Sequence, residues 1–280
     1  ISGELGIFAE TGGKSPAGNL TLNPYKNDPN LDKTGPDLNI TFTEEGFISA
    51  RTNSIGDGGN INIKAPENIN LQGEGKISVE TTGQGNAGTI DIQTQNLNLS
   101  EQIKITASTE AEGKGGDINI SPKETTLNIT GNGEISASTS GAGQGGNIEL
   151  NATEKLNITG DGQISASTSG AGQGGNIDII APETRLNITG DGQISARTSS
   201  TSSTGEGGNI QLNATETLNI TGDGKISART SGAGNAGNIS IETPNLTTDQ
   251  IKITASTQAE GKGGAITAKT DTLSLDNNSQ

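Results

Sequence analysis

A run of the form I-[ST]-[AV]-x-T recurs along this chain at Ile48, Ile77, Ile105, Ile135, Ile164, Ile194, Ile226 and Ile253, with a looser copy at Ile7. From Ile48 onward the successive spacings are 29, 28, 30, 29, 30, 32 and 27 residues. A fixed period of this length means that one small unit is stacked on copies of itself, because no single copy can bury its own apolar face. The 280 residues therefore read as one elongated domain whose length follows copy number.

Each unit carries three short extended runs, seen most clearly in Ile135-Ser136-Ala137-Ser138-Thr139, Gly145-Gly146-Asn147-Ile148-Glu149-Leu150 and Leu156-Asn157-Ile158-Thr159-Gly160. Side chains alternate across a strand, so Ile135, Ala137 and Thr139 share one side and Ser136 and Ser138 the other. By the same rule Ile148 and Leu150 point in around Glu149, and Leu156 and Ile158 point in around Asn157. The links are rich in glycine (140–146), polar with occasional proline (181–183), or tight (159–162), all suited to corners because Gly and Asp accept left-handed backbone. The expected fold is all-β, a right-handed parallel β-helix of three short strands per coil and about nine coils. The hand follows from the rule for parallel crossovers. At a strand separation of about 4.8 Å, nine coils give a rod of roughly 43 Å.

Only 28% of residues are hydrophobic and 1% aromatic, a composition that raises disorder as an alternative. The regular alternation answers it, since stacking turns sparse apolar positions into continuous columns. A net charge of −15 argues against nucleic acid or anionic lipid as partner, and no run is long and apolar enough to suggest membrane insertion. Cysteine is absent, which excludes disulfides and thiolate metal sites and is compatible with export in an unfolded state. The lack of any methionine and of a polar capping helix leads us to expect a piece of a longer protein.

Residues 1–45 read as an irregular first coil, and 46–280 as regular repeats of the same solenoid. In the first coil a loop from Asn23 to Asp37 holds three of the eight prolines and the only tyrosine, so Tyr25, Lys26 and Asp28 form a candidate contact loop. A second insertion, Ser199 to Thr204, accounts for the 32-residue spacing.

Several recurring positions are candidates for chemistry. Gly141–Gly146, Gly170–Gly175 and Gly232–Gly237 fit G-x-G-x-x-G, but a dinucleotide site needs one such loop before a helix, and here a strand follows each copy. The Gly-Asp-Gly corners at Asp161, Asp191 and Asp223, with Asn132 in one copy, could attract calcium but lack the nonapeptide calcium pattern. No cofactor is expected beyond that calcium. Asn147, Asn176 and Asn209 share one register and Asn128, Asn157, Asn187 and Asn219 another, so both sets are expected to form structural hydrogen-bonding ladders. Ser136, Ser165, Ser195 and Ser227 form a candidate contact face, an outward hydroxyl ladder that brings ice binding to mind. Against ice, the neighbouring column places Arg51, Glu80, Arg197 and Arg229 where a lattice match needs flatness. Catalysis is not expected. Histidine and cysteine are absent, and the few aromatics leave little platform for a polysaccharide-active β-helix.

The pattern G-Q-G-G-N-I-x-[IL] … L-N-I-T-G-x-G-x-I-S-A-x-T, over about residues 46–275, resembles the repeat region of filamentous-haemagglutinin-like exoproteins of two-partner secretion, especially the large cyanobacterial ones of S-layer-family type. The resemblance implies a right-handed β-helix passed through an outer-membrane pore and displayed or shed at the cell surface. It leads to the expectation of a secreted bacterial surface protein acting as stalk, adhesin or extracellular filament subunit. Its partners would be other copies stacked end to end, or glycans of host or neighbouring cells.

Overall fold

The computed structural model describes residues 6–23, 37–152, 154–181, 185–199, 205–277 and 279. Among the described residues there are strands and turns and no helix. Each strand pairs in parallel with its equivalent one repeat away, with register shifts only at Phe42/Gly46 and Thr94/Asn96 among the described residues. Ile148–Asn151 lies against Ile177–Ala181, Lys155–Thr159 against Arg185–Thr189, and Gln163–Ser165 against Gln193–Ser195. Like residues therefore sit over like, Ile148 on Ile177, Asn157 on Asn187 and Ser165 on Ser195. The molecule is a parallel β-helix.

The column of threonines that ends each I-S-A-x-T run gives the coil count. Thr11, Thr52, Thr81, Thr109, Thr139, Thr168, Thr198, Thr230 and Thr257 are joined rung to rung by eight pairings, so nine described rungs span about eight turns. The first coil joins the same stack: Gly6–Phe8 pairs with Phe47 to Ser49, Leu20–Leu22 with Ile61 to Ile63, and Leu38 onward with Ile69 onward.

The core is made by the columns that alternation places inward. Ile135, Ala137, Ile148, Leu150, Leu156 and Ile158 are buried, and so are their equivalents in the neighbouring coils, such as Ile164, Ala166, Ile177, Ile179, Leu186 and Ile188. Each apolar side chain rests on its copy above and below. A chain poor in hydrophobic residues can thus bury those of its interior coils, at about 25 cal/mol for each Å² removed from water, while Ile7, Phe8, Ile266, Leu273 and Leu275 of the end coils stay exposed.

In the early coils two runs merge into one long strand, Asn68–Thr81 and Ile118–Ile129 for example, where three separate strands per coil are expected. In the first of these the chain bends at Gly73 (φ 101°), and the ladder to the preceding coil shifts register there, from Phe42 opposite Gly73 to Gly46 opposite Gly75. Gly131, Gly160, Gly190 and Gly222 hold the equivalent left-handed position at the tight corners of the later coils.

The glycine-rich corners have a different cause. A methyl group on Gly143 would strike the carbonyl oxygen of Gly113, and one on Gly172 that of Gly143. The backbones of successive coils touch there, while the intervening Ala142 and Gln144 face solvent. The G-x-G-x-x-G pattern is therefore a stacking signature.

Candidate binding face

Three outward features run the length of the rod. The first is the asparagine ladder on the L-N-I-T face. Amide Nδ2 donates to the Oδ1 below it from Asn70 to Asn39, Asn98 to Asn70, Asn128 to Asn98, Asn157 to Asn128, Asn187 to Asn157 and Asn219 to Asn187, at 2.7–3.1 Å. Each interior amide both gives and receives, so its polar atoms are occupied by its neighbours.

The second asparagine register works through the backbone. Oδ1 of Asn147 accepts from the backbone N–H of Asn176 (3.1 Å), Oδ1 of Asn176 from Asn209 (3.0 Å), and Oδ1 of Asn209 from Asn238 (2.9 Å). Asp117 takes the same role toward Asn147 at 2.8 Å. These side chains supply acceptors to corner amides that the strands leave unpaired.

The serine column differs from the exposed, flat ladder expected of it. Ser136 and Ser227 are only 6% and 2% exposed, Ser49 and Ser78 are buried too, and Ser165 and Ser195 are half-buried. The hydroxyls are partly spent within the face: Ser136 donates to Ser138 (3.1 Å), Ser138 to the carbonyl of Ser165 (3.3 Å), Ser165 to Ser167 (3.0 Å), and Ser167 to the carbonyl of Ser195 (3.2 Å). The column therefore lies at or below the surface. That removes the premise of an ice-matching lattice.

Beside this column, along the next outward one, runs a trough of about 360 Å³ that crosses several coils. Ser108, Ser138 and Ser167 are on its floor, and Ser140, Ser169 and Glu110 are on one flank. Arg51 and Glu80 line one end, and the other reaches Ser199. The dip exists because three successive rungs carry serine where the rungs on either side carry Glu80 and Arg197. The backbone N–H of Arg197 donates to Ser167 Oγ (3.2 Å), which places this arginine's rung directly after the serine floor.

Beneath the trough lies a feature that sequence reasoning placed only as inward-facing. Thr168 Oγ1 accepts from the N–H of Gly170 (3.2 Å) and donates toward the carbonyls of Gly141 and Gly143 in the preceding coil (3.4 and 3.3 Å). Thr81, Thr139 and Thr257 make the same acceptor contact two residues on, and Thr81, Thr230 and Thr257 the same reach to a preceding carbonyl. The threonine is a buried clasp for each glycine-rich corner. Its invariance from Thr52 to Thr257, in a column where valine would pack equally well, was the available signal.

Charges along the I-S-A-x-T face are unevenly matched. Arg51 pairs with Glu10 (3.2 Å), Lys76 with Glu80 (2.5 Å) and Lys104 with Glu134 (3.9 Å). Further along, Arg197, Lys225, Arg229 and Lys252 have no ion-pair partner among the described residues. Burial first, and then the nearby charges of Arg229, Arg197 and Lys252, lower the pKa of Lys225.

On the opposite side, burial and the neighbouring Glu149 raise the pKa of Asp178. The corner residues Asn132, Asp161, Asp191 and Asp223 are exposed. Among the described residues no three His, Cys, Asp or Glu gather closely enough to hold a metal ion. Tyr25, Lys26 and Asp28, and residues 200–204 of the second insertion, lie outside the described residues. No helix among the described residues is long and apolar enough to cross a membrane.

Set against known proteins, the chain matches no family model, no curated protein and no solved structure.

Proposed function

We propose that this chain is the rod of a secreted bacterial surface protein, a stalk or adhesive shaft that works through length and lateral contact rather than through catalysis. The observation that carries the reading is the near-identity of successive rungs. The same inward isoleucines, clasp threonines and asparagine ladder recur from coil to coil, so most of the surface is a periodic array. A periodic array supports spacing and repeated weak contacts, which linkage makes strong. Catalysis asks for one singular constellation, and the acidic side chains here recur as surface decoration. The resemblance of the repeat to filamentous-haemagglutinin-like exoproteins is consistent with this role.

Beads coated with the chain test it. They are expected to adhere to cell layers or biofilm matrix more than beads coated with an acidic globular protein of similar charge. Equal adherence of both would count against an adhesive shaft.

A further inference from the structure

Along the I-S-A-x-T face the cations of the early coils are paired, and those of the later coils have no ion-pair partner among the described residues. Arg51, Lys76 and Lys104 each meet a carboxylate on their own face. Arg197 and Arg229 sit on adjacent rungs, since Thr198 bridges Thr230, and Lys225 lies beside Lys252. Alternation puts Lys225, Ser227 and Arg229 on one side of the chain, so the four cations share one face within three coils. In a chain of net charge −15, four cations on three successive rungs, without an ion-pair partner among the described residues, are a local reversal of sign.

Their hydrogen-bonding capacity is also unspent. Nε of Arg197 and of Arg229, Oγ of Ser227 and Oγ1 of Thr254 are buried and find no hydrogen-bond partner among the described residues. Ser227 stacks on Thr254, so the two idle hydroxyls are neighbours between the cationic columns. Like charges held together on one face, over buried polar atoms without partners, are complementary to an oxyanion.

We propose that Arg197 and Arg229, on the two rungs that follow the serines of the trough, bind the carboxylate or sulfate group of an acidic oligosaccharide, whose neutral hydroxyl-bearing units lie along Ser167, Ser138 and Ser108. This rests on the reading of the rod as a lateral contact surface and names its ligand class. The trough extends over several coils, each rising about 4.8 Å, so it suits an extended chain rather than a lone ion. Glu80 and Glu110 line the rest of it, so a ligand charged along its whole length would meet carboxylates. Duplex DNA, with a charge about every 1.7 Å, is disfavoured for that reason. A sparsely charged glycan carries its acid group to the arginines and meets hydroxyls elsewhere.

Calorimetric titration of the whole chain tests this with four probes: a neutral β-linked glucan oligosaccharide, the same oligosaccharide ending in a uronate or a sulfate ester, sodium sulfate, and a short DNA duplex. The acid-bearing oligosaccharide is expected to bind at least about tenfold more tightly than each of the others, the advantage of a charge-assisted hydrogen bond. The double variant Arg197→Gln/Arg229→Gln should lose about that factor, with its circular dichroism unchanged, and Arg197→Lys/Arg229→Lys should lose less. Lys114→Gln, which removes the same charge from a corner where it pairs with Asp117, should change binding by less than about twofold.

No binding, equal binding of the neutral oligosaccharide, indifference to the double variant, or a preference for sulfate alone or DNA would each overturn the assignment. Adherence of coated beads is read separately, so it can survive any of these results.

Discussion

The side-chain amide of Asn157 donates to Oδ1 of Asn128 in the coil before it, over 2.7 Å. Asn157 in turn accepts from Asn187 at 3.1 Å, so one residue ties three coils together. Replacing it by alanine breaks two half-buried hydrogen bonds and should cost about 1–2 kcal/mol. Asn157→Asp should cost more at neutral pH, because a carboxylate cannot donate to Asn128 and places a charge against its oxygen. Denaturant melts of both variants check the order, and alanine proving the worse would contradict it.

The clasp is tested at Thr168. Valine keeps the shape but removes the hydroxyl that accepts from Gly170 and reaches the carbonyls of Gly141 and Gly143. Thr168→Val should cost about 1–3 kcal/mol, the penalty of leaving buried polar groups unpaired. Because each repeat contacts only its neighbours, hydrogen exchange should quicken most in the coils around residue 168. Uniform quickening along the rod would argue against a local clasp.

Gly143 and Ala142 are adjacent but should respond oppositely. Gly143→Ala drives a methyl group into the Gly113 carbonyl and should destabilise by about 1–3 kcal/mol. Ala142 is exposed, so Ala142→Ser should shift the melting midpoint little. Tolerance of Gly143→Ala would show that the corner backbones do not touch.

Asp178 gives a pH signature. Its pKa is raised by burial and by Glu149, so the folded state binds its proton more tightly than the unfolded chain does. Its presence therefore lowers stability as pH rises through its folded pKa, and this penalty is absent below the ordinary carboxyl range. Asp178→Asn should stabilise the rod at neutral pH, with the gain vanishing on strong acidification. A gain independent of pH would assign the effect to packing.

Much of this was legible in the residues. The period, the inward columns through Ile135, Ile148 and Leu156, and both asparagine registers follow from alternation, because a stack in register makes every inference at one rung hold at the next. What alternation cannot convey is depth. It places Ser136 outward, yet that side chain is 6% exposed and its hydroxyl is bonded to Ser138. Alternation also marks Thr168 as inward without revealing that its hydroxyl clasps two coils, which requires the path of the glycine corner. The arginines of the candidate site were visible as an outward column, but their lack of partners depends on which carboxylates the corners carry within reach.

The reading of the chain as a displayed rod is tested most directly by immunogold labelling of intact cells that produce it, with antibody raised against the folded chain. Gold outside the envelope without permeabilisation is the expected result. Labelling that appears only after the cells are opened would contradict it.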